Sequence, residues 1–514
     1  MNALVVAPIA LPLLVAALLL VLRGRRALQR LVATAATALL LVVAVVLLVQ
    51  VSRHGILAVQ LGGWQAPFGI TFVADHLAAI MVLVNAVMAL AAAVYAFVDI
   101  DPGREHAGYH PLVQSLLAGI NGAFLTGDVF NLFVWFEVML IASFVLITLG
   151  GRRDQLEGGI KYVSVNLVAS MLFLTAVGLL YGLTGTLNMA DLARLLPEHD
   201  PGMVTTIAML FMVAFGIKAA VFPLFFWLPA SYHTPPIAIS AFFAGMLTKV
   251  GVYALMRTFT LLFVADVGYT HTILLWVGGL TMVSGVITAA AQNDVRKILS
   301  FHIISQIGYM VFALALYTPL ALAGAVFYLV HVIIAKANLF FIAGIARRRA
   351  GSYDLRRIGG LYHAAPFLSA LFLISALGLA GIPPLSGFWA KLLVVLAALE
   401  AARWWIGAVA LGVGLLTLFS MTKIWQYAYW TPLPPGASLS PRPSGLLYVP
   451  VVALAVLTLV LGLWSEPLIA LSDAAAAELL DPARYVQAVL GPDAVLPSAG
   501  EAATLHPLDL GVGQ

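Results

Sequence analysis

The sequence predicts an all-α polytopic membrane protein with about fourteen transmembrane helices. Three observations carry that reading. Hydrophobic residues make up 62% of the 514 and charged residues only 9%, with a mean hydropathy of +1.04, far from the roughly 25% charged content of a soluble globular domain. Apolar runs long enough to cross a hydrocarbon core of about 30 Å, at about 1.5 Å per residue, recur from end to end. The runs are continuous and lack the apolar/polar alternation over about ten residues that marks a barrel strand, so helices are the spanning element.

In order, the expected spans are 3–22, 31–50, 75–98, 112–127, 128–149, 159–182, 205–230, 237–257, 272–291, 298–317, 320–345, 364–398, 405–430 and 449–466. The first could be mistaken for a signal peptide. Its positive cluster, Arg23, Arg25, Arg26 and Arg30, follows the apolar run instead of preceding it, and no small-residue cleavage site intervenes, so it reads as a retained helix. The seventh and twelfth runs are too long for one crossing, and both contain proline: Pro223 in one, Pro383 and Pro384 in the other. Proline removes a backbone donor and clashes with the preceding turn, so both are expected to be broken helices. Beyond the last span, "DAAAAELLDPARYVQAVL" suggests an amphipathic helix, and the Gly-, Pro- and Ala-rich end after it suggests disorder.

Loop charges test the count. One set of loops carries Arg23 to Arg30, Arg104, Arg152, Arg153, Arg296, Lys297, Arg347 to Arg349, Arg356, Arg357 and Arg442; the other set and the tail carry only Arg53, Arg194, Arg403 and Arg484. By the positive-inside rule the first face is cytoplasmic and both termini lie outside. A working division follows: three N-terminal spans in 1–111, a first group of five in 112–257, a second in 272–430, and a last span with the tail in 431–514. Five is odd, so the second group starts from the opposite face, and any repeat between the groups must be inverted. The two broken helices then stand fourth in each group. The sequence echo is faint: "GIKAAVFPLFFW" against "GIPPLSGFWAKLL".

The chain has no cysteine, which excludes disulfides, thiolate chemistry and cysteine-held clusters. The net charge of +4 sits in short loops as a topology signal, not as a nucleic-acid surface. No metal-ligand spacing such as HExxH, no Walker loop and no GxGxxG between strand and helix is present, so no metal or cofactor is expected.

Glu137, Lys161, Lys218, Lys249, Lys336, Lys391 and Lys423 fall inside apolar spans, with His331. A central lysine costs about 2.5–3.5 kcal/mol on insertion while each large aliphatic residue returns roughly 0.3–0.6, so one charge per helix is tolerated. Several at similar depth exceed what folding needs and mark an ion path or proton relay. A desolvated lysine can release its proton at ordinary pH, and a nearby carboxylate holds it in place. Movement of Glu137 relative to Lys218 would then switch the lysine between the two, with the break at Pro223 supplying free carbonyls and room for water. Blander readings stand beside these. Glu137 and Lys218 could be a static pair fixing two helices; Lys161 and Lys423, near span ends, could snorkel; His331 could be a neutral core histidine; Asp75 and Asp128 could be helix caps.

Together, "GDVFNLFVWFEVMLIASFVLI", "FGIKAAVFPLFFWLPASYHTPP", "QNDVRKILSFHIISQIGYM", "HVIIAKANLFFIAG", "SYDLRRIGGL" and "GIPPLSGFWAKLLV" resemble the antiporter-like subunits shared by respiratory complex I, membrane-bound hydrogenases and Mrp-type cation/proton antiporters. The likeness covers roughly residues 70–430, and "LLDPARYVQAVL" is similar to the D branch of the Mrp-type subunits. It implies fourteen helices, two inverted five-helix repeats with broken seventh and twelfth members, and a hydrophilic axis at mid-membrane. Carried over by motif, that axis comprises Glu137, Lys218, Lys249, His331, Lys336 and Lys391. Lysine at 391 argues against the complex I branch that carries glutamate there, whereas His233, followed by Thr234, Pro235 and Pro236, departs from the family's usual alanine-proline.

The resemblance implies a proton-translocating subunit of a multi-subunit Na+(K+)/H+ antiporter in a bacterial plasma membrane, working with other subunits and the bilayer and using no cofactor. Two alternatives remain open: a proton-pumping subunit of a redox complex, which would use the same residues, and a membrane scaffold whose charges only pair helices.

Overall fold

The computed structural model describes residues 2–435, 438–494 and 496. Among these residues, twelve helices are long and apolar enough to cross a membrane. Two further spans complete the expected set: the 17-residue helix Tyr109–Leu125, and the pair Pro366–Ala380 and Ser386–Glu400, which crosses in two pieces. Burial sorts them. Every residue of the eighth span, Ile237–Leu261, is buried, and so is 321–346 of the eleventh, Pro319–Ala350. Large apolar side chains face outward on the first, second, sixth, ninth and thirteenth spans, as expected where lipid is the solvent.

One departure from an all-helical chain lies between the second and third spans. There β1 (Leu57–Gln60) and β2 (Thr71–Ala74) pair antiparallel. The hairpin joins neighbouring loops: Gly127 N–H donates to the Thr71 carbonyl at 2.8 Å, and Asn188 Nδ2 donates to Thr71 Oγ1 at 2.9 Å.

Backbone geometry reveals the inverted repeat that the residues barely show. The fifth span, Val129–Thr148, is capped by Asp128, which accepts from Asn131 N–H; the tenth, Val295–Leu316, is capped by Asp294, which accepts from Lys297 N–H. Each capping aspartate forms an isolated antiparallel bridge to the loop after the next span, Asp128 to Asn188 and Asp294 to Asp354. The two devices sit on opposite faces, because an odd number of spans separates them. The breaks match as well. The seventh span, Pro201–Ala219, ends with Ala220 at φ +60°, its N–H bonded to the Ile217 carbonyl and that of Val221 to Gly216. In the twelfth, Gly381 at φ +92° bonds to Gly378 and Ile382 to Leu377. Both are the reversed terminus in which residues one and two beyond the helix reach back three and five positions.

The two breaks differ in detail, and one expectation, for the tail, needs correcting. The helices end at Ala219 and Ala380, ahead of the prolines, so Pro223, Pro383 and Pro384 lie within the non-helical breaks and do not themselves end the helices. The piece after the first break is only Trp227–Ser231, so the seventh span is not the even pair of half-helices that the twelfth is. The tail forms two helices, Glu466–Leu479 and Pro482–Leu490, not the single amphipathic helix expected. Asp481 and Pro482 interrupt it, and the first piece returns to the third span, where Glu478 Oε1 meets His76 Nδ1 at 2.7 Å. The end expected to be disordered falls almost wholly outside the described residues.

The eighth span passes directly against the first break. A Cβ on Gly251 would lie 2.5 Å from Ala219 N and 2.8 Å from the Lys218 carbonyl carbon, and backbone atoms cannot step aside as a flexible side chain can. Gly251→Val should therefore cost about 1–3 kcal/mol by overpacking, seen as a lower unfolding midpoint of the purified complex; an unchanged midpoint would show that this contact is not held.

Candidate functional site

The last turn of Pro201–Ala219 places Lys218 inside the bundle with its side chain 4% exposed, and its Nζ lies 4.0 Å from Glu137 Oε1 on the fifth span. That separation is too long for a charge-assisted hydrogen bond, which closes to about 2.7–2.9 Å. Ser170 of the sixth span, Arg153–Thr184, fills the gap. Lys218 Nζ donates to Ser170 Oγ at 3.1 Å and to the Asn166 carbonyl at 3.3 Å, and Ser170 Oγ donates to Glu137 Oε1. A hydroxyl has one proton and two lone pairs, so it can accept from an ammonium and donate to a carboxylate at the same time. The lysine and glutamate thus communicate through a group able to pass a proton.

Glu137 is 26% exposed and lies on a stripe with Phe130, Val134 and Ile141, all outward-facing. Residues three and four apart share a helix face. An ionisable group on an apolar outer face is costly in lipid, and the hydrogen bond from Ser170 offsets part of that cost.

Beyond Lys218 the row continues without carboxylates. Among the described residues no acidic oxygen lies within 4.0 Å of Lys249, Lys336 or Lys391. Their ammonium groups use backbone carbonyls instead: Lys249 Nζ donates to Ala244 O at 2.6 Å, Lys336 Nζ to Leu299 O at 3.5 Å and Lys391 Nζ to Ala380 O at 2.7 Å. Lys249 and Lys391 both lie near enough to Lys336 for their charges to act on it. His331 Nδ1 meets Ser386 Oγ at 2.8 Å, and its Nε2 has no partner among the described residues. Around them, His302 Nδ1 and Nε2, Ser305 Oγ, Gln306 Nε2, Asn338 Oδ1 and Thr248 Oγ1 are buried without a protein partner. Buried polar atoms normally complete their bonds, and where protein cannot do so water does.

At its far end Lys391 borders a cavity of about 260 Å³ between the twelfth and thirteenth spans, lined mostly by apolar side chains including the outward-facing Leu411 and Leu415. The Tyr309 ring lies 5.4 Å from Lys391 Nζ. The break contributes here differently from expectation. The free carbonyl serves Lys391, at Ala380, whereas Lys218 bonds to the sixth span, and the Ile217 carbonyl near the first break is taken by Trp227 Nε1.

The remaining charges have structural partners. Lys161 pairs with Glu157 at 2.6 Å on an exposed helix face, and Lys423 caps the ninth span by donating to the Ala290 and Gln292 carbonyls. Asp75 and Asp128 are helix caps, and Asp75 also pairs with the buried Arg257. In the loop before the eighth span, His233 Nδ1 meets the Pro229 carbonyl at 2.7 Å; burial first, and then the charge of Arg296, holds its pKa below the ordinary value. A neutral, turn-closing imidazole fits that setting. Sequence reasoning missed Ser170 and His302. His302 carried the same signal as His331, a histidine inside an apolar run; Ser170 carried none, since hydroxyls are common in spans.

The architecture therefore defines a class: a polytopic helical membrane protein with inverted repeats, two broken helices and a buried row of lysines between them. The chain belongs to the NADH:quinone oxidoreductase/Mrp antiporter transmembrane family, whose model matches residues 126–417. It is 49% identical over 491 residues, 95% of this chain and 100% of the relative, to the D subunit of the Na(+)/H(+) antiporter of Alkalihalophilus pseudofirmus. Its fold is similar to a chain of the Mrp complex from Dietzia sp. DQ12-45-1b, with TM-score 0.89 and 36% identity over 95% of this chain and 99% of that one. A chain of respiratory complex I from Thermus thermophilus is similar at TM-score 0.80 and 26% identity, over 93% and 99%.

Because the chain has no cysteine, single thiols can be introduced without a background. Cysteine at Glu137 or Lys391 should react with a small uncharged, membrane-permeant thiol reagent about tenfold or more faster than cysteine at Lys249, since reaction requires the thiolate and access. Equal rates would show that the ends of the row are no more open than its middle.

Proposed function

We propose that this chain is the proton-translocating subunit of a multi-subunit Na+/H+ antiporter, with K+ as an alternative cation, in a bacterial plasma membrane with both termini outside. The observation that carries this reading is the Lys218–Ser170–Glu137 chain. A carboxylate at the outer face is linked by one hydroxyl to a buried lysine, and further lysines continue the row to a second opening at Lys391.

In the proposed cycle, protonated Lys218 is stabilised while Glu137 is ionised and linked to it through Ser170. Displacement of Glu137 removes the counter-charge, and burial then favours the neutral amine, so the proton leaves toward Lys249. Lys336 and Lys391, with His302 and His331 between them, pass it on through the buried polar groups. The steps between them need water among the unpartnered hydroxyl and amide groups.

The redox-complex alternative uses the same residues and differs only in partners. Higher identity to the antiporter relative than to the complex I chain supports the antiporter reading. A transporter role also accounts for lysines that have no acidic partner, which a scaffold does not.

In everted vesicles carrying the whole complex, Lys218→Ala and Glu137→Gln should abolish Na+-dependent proton movement while assembly is retained. Ser170→Ala should lower it by about tenfold, the worth of one hydrogen bond to a charged group, and Ser170→Thr should restore it. Wild-type exchange in Lys218→Ala would sink the proposal.

A further inference from the structure

On the arginine-rich face, five guanidinium groups converge on one cavity of about 220 Å³: Arg104, Arg152, Arg296, Arg347 and Arg348. They come from four separate chain segments. The one carboxylate in the lining, Asp99, is already engaged: its Oδ1 pairs with Arg348 at 3.1 Å, and its Oδ2 accepts from Ala238 N–H at 2.9 Å. Arg152 and Arg104 pair outside the cavity with Asp154 and Asp101.

Arg296 and Arg347 are different. Among the described residues neither has a carboxylate within 4.0 Å. Both guanidinium groups instead lie over the ring of Tyr353, at 4.0 and 5.3 Å. The Nε atoms of Arg296 and Arg104 are buried without a partner among the described residues. A topology signal needs arginines in loops on one face; it does not need them gathered around one cavity, where like charges repel. That repulsion calls for an anion.

We propose that this cavity binds a phosphate group, carried either by an anionic lipid headgroup or by a small soluble phosphate. The planar guanidinium fork matches phosphate oxygens two at a time, and basic pockets between spans on the cytoplasmic side suit anionic headgroups. The start of the eighth span also lines the cavity, but Asp99 already accepts from its Ala238 N–H, so the attraction rests on the guanidinium groups. The bound group would tie the start of the eighth span to the start of the tenth and the end of the eleventh, bracing the helices that carry Lys249, His302 and Lys336.

The test uses the assembled complex, stripped of lipid in detergent, with its unfolding midpoint followed as a probe is titrated. The probes are inorganic phosphate and mixed micelles of phosphatidylcholine with or without phosphatidylglycerol. The wild type should be stabilised, and Arg296→Gln and Arg347→Gln should each weaken the apparent affinity about tenfold. Arg25→Gln, an exposed arginine on the same face outside the cavity, should leave it unchanged. A response to phosphatidylglycerol but not to inorganic phosphate identifies a lipid headgroup; a response to inorganic phosphate alone identifies a soluble ligand. If Arg296→Gln does not assemble, Arg347→Gln carries the same comparison. No stabilisation by either probe, or equal losses in Arg25→Gln and the cavity variants, overturns the proposal.

Discussion

The constraint on which the rest depends is the cost of holding several lysines in a low-dielectric interior with one carboxylate among them. An ammonium taken from water must be given oxygen atoms or lose its proton. The fold supplies oxygens sparingly: a serine hydroxyl and one carbonyl for Lys218, and a single carbonyl each for Lys249, Lys336 and Lys391. This is enough to hold a charge for a time and too little to fix it. A tight ion pair at every lysine would make a stable bundle that conducts nothing, because removing a proton would leave a buried carboxylate unpaired.

The second break answers part of this constraint: a carbonyl at a helix end, Ala380, accepts from Lys391, whereas Lys218, Lys249 and Lys336 use the second lone pair of carbonyls inside continuous helices, at Asn166, Ala244 and Leu299. The inverted repeat provides two such ends by one device, the reversed terminus at Ala220 and Gly381. In the first repeat the positive φ falls on alanine, where a left-handed conformation costs about 1–2 kcal/mol. The packing of the eighth span at Gly251 against this turn is the kind of surrounding that holds such a conformation in place.

Much of this is legible in the sequence. Continuous apolar runs locate the spans, because a bilayer imposes one length and one backbone solution, and prolines in overlong runs announce the breaks. Lysines at mid-span stand out because nothing in folding asks for them. What the residues do not show is what depends on contacts between distant segments. Ser170 reads as an ordinary small residue until the fifth and seventh spans are brought to either side of it. The breaks begin earlier than the prolines suggest because each helix ends at the turn that reverses the chain, not at the proline that forbids its continuation. The repeat is faint in the residues because its shared features are caps and backbone bonds, which many side chains can satisfy.

The two best-placed lysines are not equivalents under the repeat, yet they meet the same physics. Lys218 precedes its break and Lys391 follows its own. Lys218 occupies the last turn of Pro201–Ala219, and the Lys391 ammonium bonds to Ala380, the last residue of Pro366–Ala380. Both therefore sit at the negative end of a half-helix, where a cation is favoured by about 0.3–1 kcal/mol and by up to about 2 when partly buried. The same field would disfavour a carboxylate, and an ionised glutamate at position 391 could not donate to the Ala380 carbonyl at all. Lysine at this position is thus matched to the carbonyl end it faces, and the choice between lysine and glutamate here is a choice of which charge the broken helix is built to hold.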